Sequence, residues 1–444
     1  MLTGPLLPIF AGQIRFMKVF KFGGASIDGA ERIRNLQRLV QPHRGEKILL
    51  VISAMGKTTN ALEKVVTAFH AGEKSKAQEL FEEVKQQHRE LARALLDAQL
   101  ASCESALNDF FTEVDWVLNE KPARELDYYY DQIVCTGELY SSVIVSAYLQ
   151  EAEIENEWLD VRDILRTDDN FRDAKVDWEQ TRNHLTERLI PAFERQDLVV
   201  TQGFIAATGQ NESTTLGREG SDYSAAVFAN LLDATELTIW KDVPAVMNSD
   251  PRKFPDATAI RNLDYGEVIE MAYYGAQVIH PKTVKPLQNK KIPLYVKSFL
   301  DPDSPGTVIA DHPVRGLPPI IVLKEKQVLL RMSSLDFSFI GESHVSQLYR
   351  IFEKQRLRPN LTQNTAISFI CVCDDHPGKI EELALAAAEF LDVEVQRGYS
   401  LLTIRHYDEA LFQKLTQARS IILRQQTPDT VQAVLGSQES RENQ

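Results

Sequence analysis

Apolar and polar residues alternate between residues 18 and 299 in a pattern that predicts strands and helices in turn. The run KVFKF at 18–22 predicts a strand, residues 27–40 have helical periodicity, and KILLVIS at 47–53 is apolar at nearly every position. A continuous apolar run of this length is typical of a strand buried on both faces. Strand, helix and strand in this order predict a parallel sheet.

The same alternation continues after one long helical insertion. Residues 60–120 are polar, carry leucines at helical spacing and predict an antiparallel pair of helices packed on the main domain. Further helices are predicted at 128–151, 178–196 and 264–277, and further strands at 157–160, 198–206, 236–240 and 292–299. We therefore predict one α/β domain with a mainly parallel sheet over residues 17–310.

The amino-acid composition changes at the end of this domain. The segments 301–307 and 312–319 are rich in proline and glycine, which predicts a linker over 311–324. From residue 325 the pattern reads strand, helix, strand, strand, helix and strand, the order of a ferredoxin-like module. The rest of 325–444 could supply a helix and two more strands, which is too short for a second full module built alone, so a second module here would be shortened.

The sequence pattern indicates neither an N-terminal signal peptide nor a membrane-spanning helix. Residues 1–16 are apolar but carry no basic n-region and no small-residue cleavage site, so we expect a disordered extension that follows an upstream start codon. No stretch of 18 consecutive apolar residues occurs in the sequence, which predicts a protein with no membrane association.

Composition narrows the functional class. The 49 basic and 63 acidic residues give a formal net charge of -14, which argues against nucleic-acid binding but leaves room for a local phosphate site. The four cysteines have no histidine or second cysteine pair at ligand spacing, so we expect free thiols, a cytoplasmic protein and no metal-ligating cluster.

The first candidate site is the sequence KFGGAS at 21–26, directly after a predicted strand. Gly23 and Gly24 let the backbone approach an anion closely, and a helix N-terminus follows them. Lys21 before the glycines and Ser26 after them favour a phosphate ligand. The alternative is a plain β-turn before a helix.

Two further motifs carry polar residues at strand or helix ends. SAMGKTTN at 53–60 follows the second strand, where small hydroxyls such as Ser53 and Thr59 suit a small polar substrate. Glu138 in TGELYSS could bind an ammonium group. In both motifs a helix cap is the alternative interpretation.

The loop TLGREGSDYS at 215–224 is the strongest candidate. Arg218 is suited to a bidentate contact with a carboxylate, and Asp222 to a cluster of metal and phosphate. After the next strand, Arg252 of the DPR sequence could contact phosphates; its alternative role is a surface salt bridge.

In their order and spacing, KFGGAS, SAMGKTTN, TGELYSS, TQGFIA, TLGREGSDYSA, KDVPAVMNSDPR and GAQVIHPKT resemble motifs of the aspartokinases. The resemblance implies an amino-acid kinase three-layer sandwich over about 18–310 and paired ACT regulatory modules from about 325. It also implies transfer of a phosphoryl group from ATP, with Mg²⁺, to the side-chain carboxylate of L-aspartate. That reaction is the first step toward lysine, threonine, methionine and diaminopimelate.

The resemblance also implies a role for each candidate residue. Lys21 is expected at the transferring phosphate beside Gly23 and Gly24, and Asp222 is expected to organise the phosphate and magnesium centre. Aspartate is expected to contact Ser53, Thr59, Glu138 through its ammonium group, and Arg218 through its α-carboxylate. The nucleotide is expected to contact Lys241, Asp242, Met247, Arg252, Gln277 and Val278.

Three positions depart from the usual family pattern. Ala25 stands where a threonine is common, and Met247 where an aromatic residue often lies against the base. Gln277 stands where many members carry a nucleotide-binding lysine, and the nearby Lys282 is a candidate to replace its charge. None of these changes alters Lys21, Arg218 or Asp222, so an active enzyme is expected.

The resemblance leaves the regulation open. ACT modules imply an allosteric amino acid, lysine or threonine, and a homodimer or larger homo-oligomer formed through these modules. Asn360 stands where related enzymes place an acidic residue that helps to bind the inhibitor, and an amide offers no charge to an ammonium group. The second hypothesis is an amino-acid sensor in which the ACT modules are intact and the kinase site is degraded.

Overall fold

The computed structural model describes residues 17–276 and 279–436. The predicted N-terminal extension at 1–16 and the residues Gln277 and Val278 lie outside the described residues. The described chain divides into two units. The first comprises residues 17–246, Ala259–Ile269 and residues 279–314. The second comprises Met247–Thr258, Glu270–Ala276 and the chain from Arg315 onward.

Helices and strands of the first part of the chain follow the predicted order. The helices are α1 (Ala30–Val40), α2 (Thr58–His70), α3 (Lys74–Leu95), α4 (Leu100–Asn119), α5 (Leu126–Val134), α6 (Thr136–Glu151), α7 (Trp178–His184), α8 (Ile190–Arg195), α9 (Gly220–Leu231), α10 (Tyr265–Tyr274) and α11 (Pro281–Lys290). The strands are β1 (Met17–Phe22), β2 (Lys47–Ile52), β3 (Glu157–Trp158), β4 (Leu198–Gln202), β5 (Ile205–Ala207), β6 (Ser213–Thr215), β7 (Glu236–Lys241), β8 (Val246–Met247), β9 (Ala259–Ile260), β10 (Asn262–Asp264), β11 (Leu294–Ser298) and β12 (Thr307–Ala310).

The first unit is built on an eight-stranded sheet in the order β10-β12-β11-β7-β1-β2-β4-β3. The neighbours from β11 to β3 pair in parallel, whereas β12 pairs antiparallel with β11, so the predicted mainly parallel sheet is confirmed. All but the first residue of β2 are buried, which confirms the prediction that this apolar run is covered on both faces.

The run LVVTQGFIA at 198–206 is predicted as a core strand that ends at Gly203, and β4 does end at Gln202, but a second strand follows it. The chain leaves the large sheet after Gln202, and Ile205–Ala207 pairs instead with β6 in a separate two-stranded ribbon. Phe204 between them has a positive φ of 71°, a conformation that an extended strand does not contain. Thr201, Gln202 and Gly203 interrupt the apolar run at this break.

The helical insertion contains three helices rather than two. The expected antiparallel pair is formed by α3 and α4, which are joined by ion pairs from Lys85 to Asp115 and from Arg93 to Glu104, each of 2.8 Å. The extra helix is α2, which packs on α3 and α5. Among the described residues, no helix combines the length and the apolar character that a bilayer crossing requires.

Within this insertion α3 buries His88 completely, and its ring packs on that of Tyr140 at 5.1 Å. Burial lowers the pKa of His88 from 6.5 to about 4, although a hydrogen bond to the Val84 carbonyl opposes this shift. Between these pH values the unfolded chain binds a proton that the folded protein excludes. Stability therefore falls as the pH decreases from 6.5 toward 4.

We expect His88→Leu to remove much of this acid sensitivity, because leucine has no proton to bind in the unfolded chain. In the wild type, His88 should lower the free energy of unfolding by about 3 kcal/mol between pH 7.5 and pH 4.5. Urea unfolding of both proteins at the two pH values measures the difference. His70→Leu, at an exposed histidine of α2, is the control and should keep the wild-type pH dependence. An equal acid loss in wild type and His88→Leu would contradict this account.

The second unit contains a six-stranded antiparallel sheet in the order β14-β15-β13-β16-β18-β17. Its strands are β13 (Ile320–Ser333), β14 (Leu361–Asn364), β15 (Ser368–Asp374), β16 (Asp392–Arg405), β17 (Ile421–Gln426) and β18 (Thr430–Leu435), and its helices are α12 (Glu342–Lys354), α13 (Pro377–Ala387) and α14 (Glu409–Thr416). Residues 320–324 of the predicted linker are the first residues of β13.

The two long strands β13 and β16 run through both halves of this sheet. One half has the order β13, α12, β14, β15, α13 and β16, and its core includes the buried side chains of α12 and α13. In the other half α14 packs on β16 and β18 through Phe412. The first half thus has two helices and the described part of the second has one.

Candidate active site

Four parallel strands end side by side at one edge of the large sheet. Phe22 pairs with Ile52 on one side and with Trp240 on the other, and Ile52 pairs in turn with Gln202. The loops after β1, β2, β4 and β7 therefore leave the sheet at the same level, and they contain the KFGGAS, SAMGKTTN, TQGFIA and KDVPAVMNSDPR motifs. The motif of Glu138 instead opens α6, and that of Arg218 and Asp222 joins β6 to α9. In open α/β sheets, ligands bind at this carboxyl-terminal edge.

A buried charge cluster lies at this edge. Lys21 Nζ is 2.6 Å from Asp222 Oδ1, and Lys241 Nζ is 3.8 Å from Asp222 Oδ2. Burial alone would raise the pKa of Asp222, but the charges of Lys21 and Lys241 outweigh burial and hold that pKa below its usual value. The cluster therefore presents two ammonium groups around one ionised carboxylate, a net positive charge suited to phosphate.

The local structure explains why these three residues meet. Phe20 and Phe22 belong to the core on one face of the sheet, so Lys21 projects from the opposite face. Helix α9 packs on that opposite face, against β1 and β7, and Asp222 lies in its first turn. Lys241 is the last residue of β7. The alternation of β1 and the start of α9 thus place the ion pair at the strand ends.

The two glycines after β1 allow a close approach of neighbouring loops. A Cβ atom on Gly24 would lie 2.4 Å from the Ala54 carbonyl oxygen, a distance that only glycine avoids. The Gly56 amide also donates to the Gly24 carbonyl at 3.1 Å. The Ser26 hydroxyl, which we expected to favour phosphate, donates instead to the Trp240 carbonyl at 3.0 Å. Ser26 therefore ties the loop after β1 to β7.

Glu138 lies in the first turn of α6 and is 3% exposed. Its Oε2 atom is buried and has no hydrogen-bond partner among the described residues. Burial raises the pKa of Glu138 to about 8, and the Ala54 amide and the Lys21 charge lower it only in part. A buried carboxylate oxygen without a partner is costly in a folded protein, which points to a cationic ligand as the missing partner of Oε2.

The predicted hydroxyl residues lie on segments that pack around Glu138. Ser53 follows β2 and is buried, and Thr59 lies in the first turn of α2. Sequence reasoning missed Ser141, whose hydroxyl accepts from the Met55 amide at 2.8 Å and donates to the Gly137 carbonyl at 2.8 Å. Its place one turn after Glu138, in the same motif, was the available signal.

Arg218 lies in the loop before α9 and is exposed. Its guanidinium group forms no hydrogen bond or ion pair with any residue in 17–276 or 279–436. Glu219 next to it has a left-handed backbone with φ 54°, and its Oε2 atom accepts from the His280 amide at 2.9 Å. The backbone is thus anchored beside Arg218 while the side chain has no protein partner in this part of the chain.

The other residues predicted to contact the nucleotide do not belong to the charge cluster. Asp242 follows Lys241 and is exposed, whereas Met247 and Arg252 belong to the second unit. Arg252 has a side chain that is 84% exposed and pairs with Asp250 at 3.0 Å, the surface salt bridge that was its alternative interpretation. Lys282, considered as a replacement for a missing lysine charge, pairs with Asp173.

Two cavities of about 320 and 400 Å³ occur in the first unit. The first lies among α4, α6 and β3, and the second lies near the starts of β2 and β4. No predicted site residue lines either cavity. The charge cluster, the unpaired Glu138 and the shared sheet edge therefore define the candidate site better than cavity volume does.

Comparison with known proteins gives a family match. Residues 17–298 match the amino acid kinase family. Bifunctional aspartokinase/homoserine dehydrogenase 2 of Arabidopsis thaliana is 34% identical over 299 residues, which cover 66% of this chain and 32% of that protein. The chain thus spans about a third of the length of this relative.

Two further comparisons extend over most of the chain. Lysine-sensitive aspartokinase 3 of Escherichia coli is 28% identical over 406 residues, covering 87% of this chain and 86% of that protein. The crystal structure of E. coli aspartokinase III with aspartate and ADP superimposes with a TM-score of 0.77 at 24% identity, covering 96% of this chain and 97% of the other. The fold is therefore shared over both units.

Proposed function

Because the chain belongs to the amino acid kinase family, we propose that it is an aspartate kinase. It transfers the γ-phosphoryl group of ATP to the side-chain carboxylate of L-aspartate, giving ADP and 4-phospho-L-aspartate. The single observation that carries the proposal is the combination of the Lys21–Asp222–Lys241 cluster with the unpaired buried carboxylate of Glu138. The similarity to aspartokinases from E. coli and A. thaliana supports aspartate as the acceptor.

The acceptor needs two complementary charges, one for its α-ammonium group and one for its α-carboxylate. Its α-ammonium group is assigned to Glu138, whose Oε2 atom lacks a partner in the described chain, and its α-carboxylate to Arg218. Ser53 and Thr59 are assigned to the remaining polar contacts. Both charged ends of the amino acid are then bound by protein, which leaves the side-chain carboxylate as the group that reacts.

Phosphoryl transfer requires positioning and charge neutralisation rather than a protein nucleophile. An oxygen of the aspartate side chain attacks the γ-phosphorus, the new oxygen–phosphorus bond forms, and the bond to the β-phosphate oxygen breaks as ADP leaves. The attacking carboxylate is already ionised near neutral pH, so no general base is needed. Lys21 is proposed to stabilise the negative charge on the transferred group, together with the amides of Gly23 and Gly24.

Lys241 and Asp242 are proposed to contact the nucleotide on the β7 side of the cluster. For Met247, Arg252, Gln277 and Val278 the same role rests on sequence resemblance alone. A magnesium ion that is held mainly by nucleotide phosphates fits the buried Asp222 carboxylate, since such ions take only one or two protein carboxylates. Bound with ATP, this ion supplies charge neutralisation at the phosphate oxygens.

The second unit is proposed to be a pair of ACT modules that bind lysine or threonine and form a homodimer or larger homo-oligomer. Asn360, the position of the usual acidic contact, already accepts a hydrogen bond from Lys324 at 2.7 Å. Its amide also donates to Gln327 at 2.9 Å and to Asp374 at 3.1 Å. An inhibitory lysine would have to compete with Lys324 for this oxygen.

A sensor with a degraded kinase site is the weaker alternative. Loss of Lys21, Arg218 or Asp222 would have favoured it, and all three residues are present. The kinase proposal and the sensor alternative differ in one outcome, since only a kinase consumes ATP when aspartate is added.

Initial rates of ADP release from ATP and Mg²⁺ test the proposal. We expect turnover with L-aspartate at least roughly a hundredfold above that with L-glutamate, N-acetylglutamate, carbamate or UMP. Contacts of Glu138 and Arg218 with the α-ammonium and α-carboxylate groups set the reach of the side-chain carboxylate, for which glutamate is one methylene too long, and the other three compounds lack the α-ammonium group. Lysine, threonine and methionine added singly test regulation. Turnover with another acceptor and none with aspartate would overturn the assignment.

A further inference from the structure

Asp131 is a fully buried carboxylate on α5 that the proposed reaction does not use. Its Oδ2 atom accepts from the Thr215 amide at 2.8 Å and the Arg172 amide at 2.9 Å, and its Oδ1 atom accepts from the Thr215 hydroxyl at 2.7 Å. Burying a carboxylate costs free energy, and these three donors offset that cost. One side chain thus joins three segments that are distant in sequence.

The two segments held by Asp131 meet again beside Arg218. Gly217 has φ +73°, and a Cβ atom there would lie 2.9 Å from Asp173 Oδ1 and 3.0 Å from the Arg172 carbonyl oxygen. The loop that contains Arg172 and Asp173 therefore packs directly on the residue before Arg218. Asp131 fixes this loop at Arg172 and the start of the next one at Thr215.

The same helical segment also carries Glu138. Helix α5 ends at Val134 and α6 begins at Thr136, so a single intervening residue separates the helix of Asp131 from the helix of Glu138. Arg218 has no side-chain partner among the described residues, and its location therefore depends on how its backbone is anchored. Asp131 relates the backbone of Arg218 to the helix that holds Glu138.

We propose that Asp131 is a positioning residue that sets the spacing between Arg218 and Glu138, and thereby the affinity for the two charged ends of the amino-acid substrate. The inference rests on the proposed function, because it takes Arg218 as the contact of the α-carboxylate. Asp131 acts through Thr215 and Arg172 and itself touches neither substrate.

The test is Asp131→Asn in the full-length protein. The substitution keeps the shape of the side chain but removes its charge, so the two backbone amides donate to a neutral oxygen and the Thr215 hydroxyl has to turn and accept from the new NH2 group. We expect the KM for aspartate to rise about tenfold or more, with the KM for ATP within about twofold of wild type. Asp127→Asn is the matched control on the same helix, because within 17–276 and 279–436 the Asp127 carboxylate pairs with the exposed guanidinium group of Arg172 and with no other side chain.

A double variant shows whether Asp131 acts through Arg218. In an Arg218→Lys background, Asp131→Asn should raise the KM for aspartate by much less than it does alone. Thr215→Val removes the hydroxyl that bonds to Asp131 and keeps the backbone amide. It should raise the KM for aspartate by less than Asp131→Asn does, and it replaces Asp131→Asn in the test if that variant does not fold.

Equal changes in both KM values, or full additivity with Arg218→Lys, would overturn the inference. Wild-type activity is measured first, which separates the two claims. An active wild type with an unchanged Asp131→Asn variant refutes only the positioning role. A wild type that does not use aspartate refutes the proposed function and this inference together.

Discussion

Lys21→Ala is expected to lower turnover by roughly a hundredfold or more while the fold survives. The Lys21 side chain is 10% exposed and forms the 2.6 Å ion pair with Asp222 at the end of β1. A charge held in this way needs no rearrangement when negative charge develops on the transferred group. The Lys21→Ala variant lacks this charge. Lys241, which lies 3.8 Å from Asp222, still offsets part of the negative charge of the buried Asp222 carboxylate.

The matched control is Lys18→Ala on the same strand. Lys18 pairs with Glu46 at 2.7 Å and does not belong to the candidate site. We expect wild-type turnover for this variant, and circular dichroism and a thermal melt confirm folding for both. Near-wild-type turnover of a folded Lys21→Ala protein would remove Lys21 from the reaction.

Glu138→Gln is expected to weaken substrate binding and to strengthen the ligand-free fold. The amide keeps the shape of the side chain but lacks the charge opposite an ammonium group, so the KM for aspartate should rise roughly tenfold to a hundredfold. The KM for ATP should stay near its wild-type value. A change in the KM for ATP alone would show that Glu138 does not face the amino acid.

The effect on stability follows from the buried carboxyl group. The pKa of Glu138 is raised from 4.5 to about 8 by burial, so between these values the folded protein keeps a proton that the unfolded chain releases. The stability that this group contributes is present below pH 4.5 and is lost as the pH rises toward 8. At pH 7 the loss is about 3 kcal/mol.

Glutamine does not titrate, so the variant should be more stable than wild type, and the difference should grow between pH 5 and pH 8. Urea unfolding without ligands measures it. The control is Glu155→Gln, at an exposed glutamate just after α6, which should show little pH-dependent difference. A Glu138→Gln protein that is less stable than wild type at pH 8 would contradict the account of an unpaired carboxylate.

The structural features that follow from hydrophobic periodicity and from the positions of strand ends could be predicted from the sequence. The apolar runs of β1 and β2 identify buried parallel strands, and the carboxyl ends of parallel strands meet at one edge, which already brings Lys21 and Ser53 together. These features are local in sequence, so their pattern was sufficient.

Contacts between distant segments could not be predicted in this way. The hydrogen bond from the Ser26 hydroxyl to Trp240 joins residues 214 positions apart, and no spacing rule indicates it. The same holds for Asp131 and Thr215, which lie 84 positions apart. The inclusion of Met247 and Arg252 in the second unit is also a property of tertiary packing that their motif does not contain.

The measurement that tests the central claim most directly is chemical trapping of the product. The protein is incubated with ATP, Mg²⁺ and L-aspartate in the presence of hydroxylamine, which converts an acyl phosphate into a hydroxamate that mass spectrometry identifies. The account predicts aspartate β-hydroxamate in amounts equal to the ADP formed, and roughly a hundredfold less with Lys21→Ala. ADP formation without any aspartyl hydroxamate would contradict phosphoryl transfer to the aspartate side chain.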